Sequence, residues 1–273
     1  MLQVSKYILP AIAITHEELL TTYLPGDHYK PSVPDFEQQT TLRHLDEEIH
    51  RENIYFSISL VENRIVHCNG VARWLGYADS DFSLRDYLEI IHPAHAAVEG
   101  YYSLALLELF MHNEISLRFM QPVCATIIAL KHKNGKYICC KRECAPFQLT
   151  KENRMTEYLC YFNVIKEFSN EIYHTRLYPG SEHSIYTAEK LLALVRKKFT
   201  DHTDFSMQES RILKRYAQQK NCTSEMIGKA FKIEKTTVNT YNKRILKKAE
   251  AFSQQRFGTA KEASLYFKKV GLI

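Results

Sequence analysis

The sequence predicts an α+β chain: an antiparallel five-stranded sheet with helices on one side, followed by an all-α bundle of four helices. Three observations carry that expectation. The hydrophobic period changes from two to helical and back between residues 53 and 168. An Asn134-Gly135 pair joins two long strand candidates, and beyond residue 204 the chain becomes basic and helical. With 273 residues, 45% hydrophobic and 25% charged, the chain has ordinary globular composition. Its length suits about two domains.

Residues 1–52 read as a polar, partly helical extension. Thr15 precedes Glu17 and Glu18 as an N-cap ahead of an acidic first turn. Pro25, Gly26, Pro31 and Pro34 then punctuate, and a second helical stretch runs from Asp35 to about Arg51. Ile54–Val61 alternates as a strand, Glu62-Asn63-Arg64 turns, and Ile65–Cys68 returns as the second arm of a hairpin. Val71–Tyr77 is a short helical turn, and Tyr87–His92 an apolar segment stopped by Pro93. Ala96–His112 is apolar on a helical period, which predicts a buried helix.

Ser116–Lys131, Tyr137–Leu149 and Tyr158–Ile165 follow as a meander of three strands, with a two-residue turn at Asn134-Gly135 and another turn at Lys151–Arg154. Nothing alternates as βαβ, so the sheet is expected to be antiparallel. Residues 169–204 read as a linker. It holds an amphipathic helix at Thr187–Phe199, whose apolar Leu191, Leu192, Leu194 and Val195 suit packing on the sheet or on a second subunit.

Residues 201–273 carry 15 Lys and Arg against 7 Asp and Glu, a balance of +8, while residues 1–200 balance at −3. A basic block on a mildly acidic body suits a nucleic-acid-binding module joined to something else. Four helices are punctuated clearly. Ser206 with Glu209 makes a capping box, Thr223 caps the second helix, Lys232-Ile233-Glu234 turns the chain, and Thr259 with Glu262 makes a second box. The third helix, Lys235 to about Ala249, turns Val238, Ile245 and Ala249 inward. Outside that stripe it offers Asn239, Thr240, Asn242, Lys243, Arg244, Lys247 and Lys248. A short helix, a tight turn and a longer polar helix describe a helix-turn-helix. Asn and Lys can bond base edges, and flanking cations neutralise phosphates.

Other chemistry is poorly supported. The seven cysteines form no CxxC pair and read as reduced thiols, with Cys139 and Cys140 on opposite faces of a strand. Cys68, Cys124, Cys140 and Cys160 suit the role of small hydrophobes, with redox sensing by one of them the alternative. Paired carboxylates, a metal cluster, a nucleophile motif and a phosphate loop are all lacking in the sequence, so no enzyme, cofactor or metal is expected. No apolar run approaches the ~20 residues of a membrane helix. Lys6, the apolar Tyr7–Ile14 and Ala11-Ile12-Ala13 imitate an export signal, but Pro10 interrupts it, and a cytoplasmic protein is expected.

The middle domain, 53–168, resembles a PAS domain. The resemblance rests on element order and on Asn69-Gly70, Arg73-Trp74-Leu75-Gly76-Tyr77 and Ile90-Ile91-His92-Pro93. It implies a sensory or dimerising module with a cavity between sheet and helices, which either takes a small apolar ligand or is a filled core with none. The reactive-cysteine motif of flavin photosensors does not occur, and His92, His95 and His112 are the nearest candidates for a haem ligand.

Residues 205–273 resemble the LuxR-type DNA-binding domain. Phe205-Ser206 with Glu209, Ile212-Leu213, Ile227, Thr237-Val238, Ile245-Leu246-Lys247-Lys248 and the closing Gly271-Leu272-Ile273 carry the match without a gap from Glu209 to Lys248. The resemblance implies that Asn239, Thr240 and Lys243 face bases, with Thr236, Thr237, Tyr241 and Lys247 along the sugar-phosphate backbone. The chain departs from the family at Glu234, Tyr241 and Lys248-Ala249-Glu250, and Glu250–Gly258 is longer than the family's loop. The expected function is a transcriptional regulator that binds double-stranded DNA as a homodimer. The alternative is a PAS-based adaptor whose degenerate helix-turn-helix binds a protein.

Overall fold

The computed structural model describes residues 30–48, 53–111, 115–178, 184–219 and 221–273. The helix expected at Thr15, the export-like segment and His112 lie outside them.

Six strands form one antiparallel sheet in the order β2-β1-β5-β4-β3-β6. They are β1 (Asn53–Ser59), β2 (Arg64–Asn69), β3 (Val123–Lys131), β4 (Tyr137–Leu149), β5 (Met155–Glu167) and β6 (His174–Tyr178). The sequence predicts five, and β6 falls in the stretch read as linker. As a short edge strand it buries only Leu177, and its other inward residue, Thr175, is polar, which leaves no apolar alternation to read. β3 begins seven residues later than expected, at Val123, just after Pro122, which has no N–H to give a ladder.

The β3–β4 turn also differs from the two-residue expectation. His132 N donates to Lys136 O, leaving Lys133, Asn134 and Gly135 as a three-residue loop. Gly135 alone of these takes the left-handed conformation, at φ 93°, whereas a two-residue Asn-Gly turn needs both residues there.

Helices cover both faces of the sheet rather than one. On one side lie α2 (Val71–Leu75), α3 (Leu84–Ile90) and α4 (Pro93–Met111), separate from α1 (Asp35–Glu48) on the other. From α1, Leu42 packs with Tyr55, Phe147 and Leu159, while Ile54, Phe56 and Ile58 point to the opposite face. The segment read as a plain apolar run at Tyr87 is the end of α3, opened by a reciprocal capping box of Ser83 and Asp86. Pro93 begins α4, the position where its missing N–H costs nothing.

Helix α5 (Ser184–His202) packs on α4 and on the edge strand β6. Tyr101 meets Phe199 edge to face, and Lys198 pairs with Glu108 at 2.6 Å. The bundle follows as α6 (Met207–Gln218), α7 (Ser224–Phe231), α8 (Lys235–Ser253) and α9 (Ala260–Lys269). Phe199, Phe205, Phe252 and Phe267 contact one another at its centre. Helix α8 runs one turn beyond Ala249 because Phe252 joins this cluster and stacks on Tyr101. Two long-range bonds fasten bundle to sheet unit: Tyr102 donates to Val270 O at 3.1 Å and Tyr266 to Ala94 O at 3.0 Å. Among the described residues, no helix is long and apolar enough to cross a membrane.

Candidate nucleic-acid interface and ligand cavity

The tight turn before α8 is built by sequence. Thr223 accepts from Met226 N to open α7, and Lys232 closes it in the left-handed conformation. Ile233 N then donates to Gly228 O at 3.0 Å. A Cβ on Gly228 would lie 2.7 Å from Ile233 O, so only glycine lets the turn fold back this closely. Glu234 stands at the N-cap of α8, but its carboxylate caps no backbone N–H of the helix and accepts from the Thr236 hydroxyl instead. Val238, Ile245 and Ala249 are fully buried and hold α8 to the bundle, as the period predicts.

The residues expected at bases, Asn239, Thr240 and Lys243, are all exposed. So are Thr236, Thr237 and Lys247, while Tyr241 is half-buried against the core. Thr240 spends its proton on Thr236 O, one turn back. Two residues read as available are instead structural. Asn242 donates to Tyr216 Oη at 3.0 Å and Ser224 Oγ at 3.1 Å, tying α8 to α6 and α7. Lys248 reaches Glu209 Oε2 at 2.6 Å and Asp204 O at 2.7 Å.

Glu209, 2% exposed, also completes the capping box with Ser206. Burial pushes its carboxyl up, but the bonds from Lys248 and Ser206 outweigh that and hold it below the ordinary value. The second expected box is half-formed: Thr259 accepts from Glu262 N, but the Glu262 carboxylate takes Gly258 N.

In the sheet unit a cavity of about 590 Å³ opens between the sheet and helices α3 and α4. Its walls are mostly apolar, with Ile58, Leu84, Leu106 and Met155 among them. Arg142 from β4 and Glu99 from α4, each 6% exposed, supply its charge. They form a fork of two bonds, Nη1 to Oε1 at 2.7 Å and Nη2 to Oε2 at 2.8 Å. Tyr87 accepts from Arg142 at 2.6 Å, and Ser103 and Tyr173 donate to Glu99. Burial opposes ionisation of Glu99, yet the Arg142 guanidinium and these bonds hold its carboxyl below the ordinary value. Sequence reasoning missed the pair. Glu99 looks like an interruption in an apolar helix, and no spacing joins it to a strand residue 43 positions on.

Of the histidines considered for haem, neither His92 nor His95 lines this cavity. His95 uses both ring nitrogens, toward Glu171 O at 2.8 Å and from Ala129 N at 3.1 Å. His92 accepts from Ala94 N at 3.2 Å.

No known protein family and no curated protein matches the sequence. Among solved structures, an RNA-binding light-oxygen-voltage receptor is similar at 14% identity and TM-score 0.32, over 78% of this chain and 47% of that one. The VqmA dimer of Vibrio cholerae is similar at 11% identity and TM-score 0.33, over 85% and 88%. SdiA of Escherichia coli follows at 13% identity and TM-score 0.28, over 96% and 98%. All three superpose too loosely to bear on function.

Proposed function

We propose that the chain is a DNA-binding transcriptional regulator, with a PAS-like sensory unit at 53–168 and a LuxR-type helix-turn-helix at 205–273. The segment 169–204 then joins them and adds β6 to the sheet. The single observation that carries the reading is the exposed row Asn239, Thr240 and Lys243. It lies on a helix pinned from behind by Val238 and Ile245, just after a turn that only Gly228 permits. Such a helix presents base-reading groups on a rigid mount in a block of positive charge. Thr236, Thr237, Tyr241 and Lys247 flank it for phosphate contact.

In this reading a small molecule fills the cavity, and its presence is felt by α4, the helix that carries both Glu99 and the bundle-facing Tyr101 and Tyr102. The working form is a homodimer in the cytoplasm, with two recognition helices about one DNA turn, ~34 Å, apart.

Selection of duplexes from a random pool by the full-length protein, followed by binding across a salt series, tests the reading. The expected result is a two-half-site sequence whose affinity falls steeply as salt rises. Absence of both enrichment and salt dependence, with and without cell extract as a source of ligand, would replace it with the adaptor reading.

A further inference from the structure

Three cysteines stand in one row across the sheet, all lining the cavity. Cys124 on β3 faces Cys144 on β4, and Cys144 faces Cys160 on β5. The middle and last are the close pair, with Sγ atoms 3.0 Å apart. Directly facing residues of antiparallel strands have Cα atoms about 4.5 or 5.5 Å apart, inside the span of roughly 4.4–6.8 Å that a disulfide bridges. The two sulfurs therefore need only side-chain rotation to bond.

The surroundings make the two thiols unequal. Cys144 is half-buried at the cavity wall, two residues along the strand from Arg142. A hydrogen bond from Cys160, then the Arg142 guanidinium, lower its pKa against the effect of burial. Burial, then the bond to Cys144, pushes Cys160 well up.

We propose that Cys144 and Cys160 form a peroxide-reactive thiol pair inside the cavity, with Cys144 the attacking sulfur and Cys160 the resolving one. Cys144 thiolate attacks the O–O bond of a hydroperoxide, becoming a sulfenic acid as the departing alkoxide or hydroxide takes a proton. Cys160 sulfur then displaces the sulfenic oxygen, which leaves as water with the thiol proton. The two sulfurs lose two electrons and the peroxide gains them. The product is a cross-strand bridge between β4 and β5 beside the Arg142–Glu99 pair. The inference does not depend on DNA binding.

The test is thiol counting on the full-length protein before and after hydrogen peroxide, with mapping of linked peptides. The expected result is loss of two of the seven thiols, restored by dithiothreitol, and one linked pair joining Cys144 to Cys160. Cys144→Ser should keep all six remaining thiols and Cys160→Ser should lose one, as sulfenic acid at Cys144, whereas Cys139→Ser should lose two as the parent does. Seven surviving thiols in the parent, a link from Cys124 to Cys144, or equal loss in Cys144→Ser would overturn the proposal. The parent map decides even if a serine variant misfolds.

Discussion

The sheet unit is hollow where the bundle is filled, and each places its buried carboxylate accordingly. Glu99 faces the cavity, held by a guanidinium as buried as itself, whereas Glu209 sits under a helix end and is held by Lys248, whose side chain is 33% exposed. The first pair costs desolvation of both ions and fills no packing need, since an apolar pair of the same volume would serve the fold as well. The second joins the start of α6 to the far half of α8 and fixes the angle of α8. A buried charge beside empty space suits ligand response. A buried charge beside a cap suits rigidity.

The contrast can be broken most forcefully at the cavity. Arg142→Met leaves Glu99 charged, buried and unpaired, so it should cost about 3–5 kcal/mol in denaturant unfolding. Glu99→Leu combined with Arg142→Met should recover most of that loss, and failure to recover would make the pair structural. Lys248→Met should cost less, about 1.5–3 kcal/mol, because Ser206 still serves Glu209 and water can reach the vacated side.

On DNA the two outward lysines should separate. Lys243→Ala should lose about 1–3 kcal/mol on the selected site and relax preference at one base pair. Lys247→Ala should weaken all duplexes alike and flatten the salt slope by about one unit. If both bind as the parent does, the assignment of α8 fails.

The smallest effect concerns pH. Burial, then the neighbouring His95, pushes His92 down to about 4 from an ordinary 6.5. The unfolded chain takes its proton near pH 6.5, and the folded chain refuses it until about pH 4. Stability should therefore fall as pH drops through that window, and unfolding midpoints at pH 7 and 5 should differ less in His92→Phe.

Legibility followed range. The capping box at Ser206 and Glu209, the Val238–Ile245 stripe and strand β4 were readable because their signals lie within one element. The box at Ser83 and Asp86 was equally local but was overshadowed by the apolar run after it. Periodicity does not tell Asn239 from Asn242, which only the family resemblance separates: both are polar positions on one helix, and packing against Tyr216 and Ser224 makes the second structural. Lys248 likewise looks like a free cation until Glu209, 39 residues earlier, is placed beneath it. The Cys144–Cys160 facing pair needed strand register, which composition does not encode.

The bond from Tyr102 to Val270 also has a consequence for synthesis. It spans 168 residues of sequence, and its companion from Tyr266 to Ala94 spans 172. At roughly 5–20 residues per second, a translating ribosome needs on the order of ten seconds or more to make that intervening chain. The strands can pair well before then, but the joint between the two units cannot close until residue 270 exists. A nascent chain thus passes through a stage with α4 exposed along the face that the bundle later covers, a window in which chaperones or a second chain have access to it.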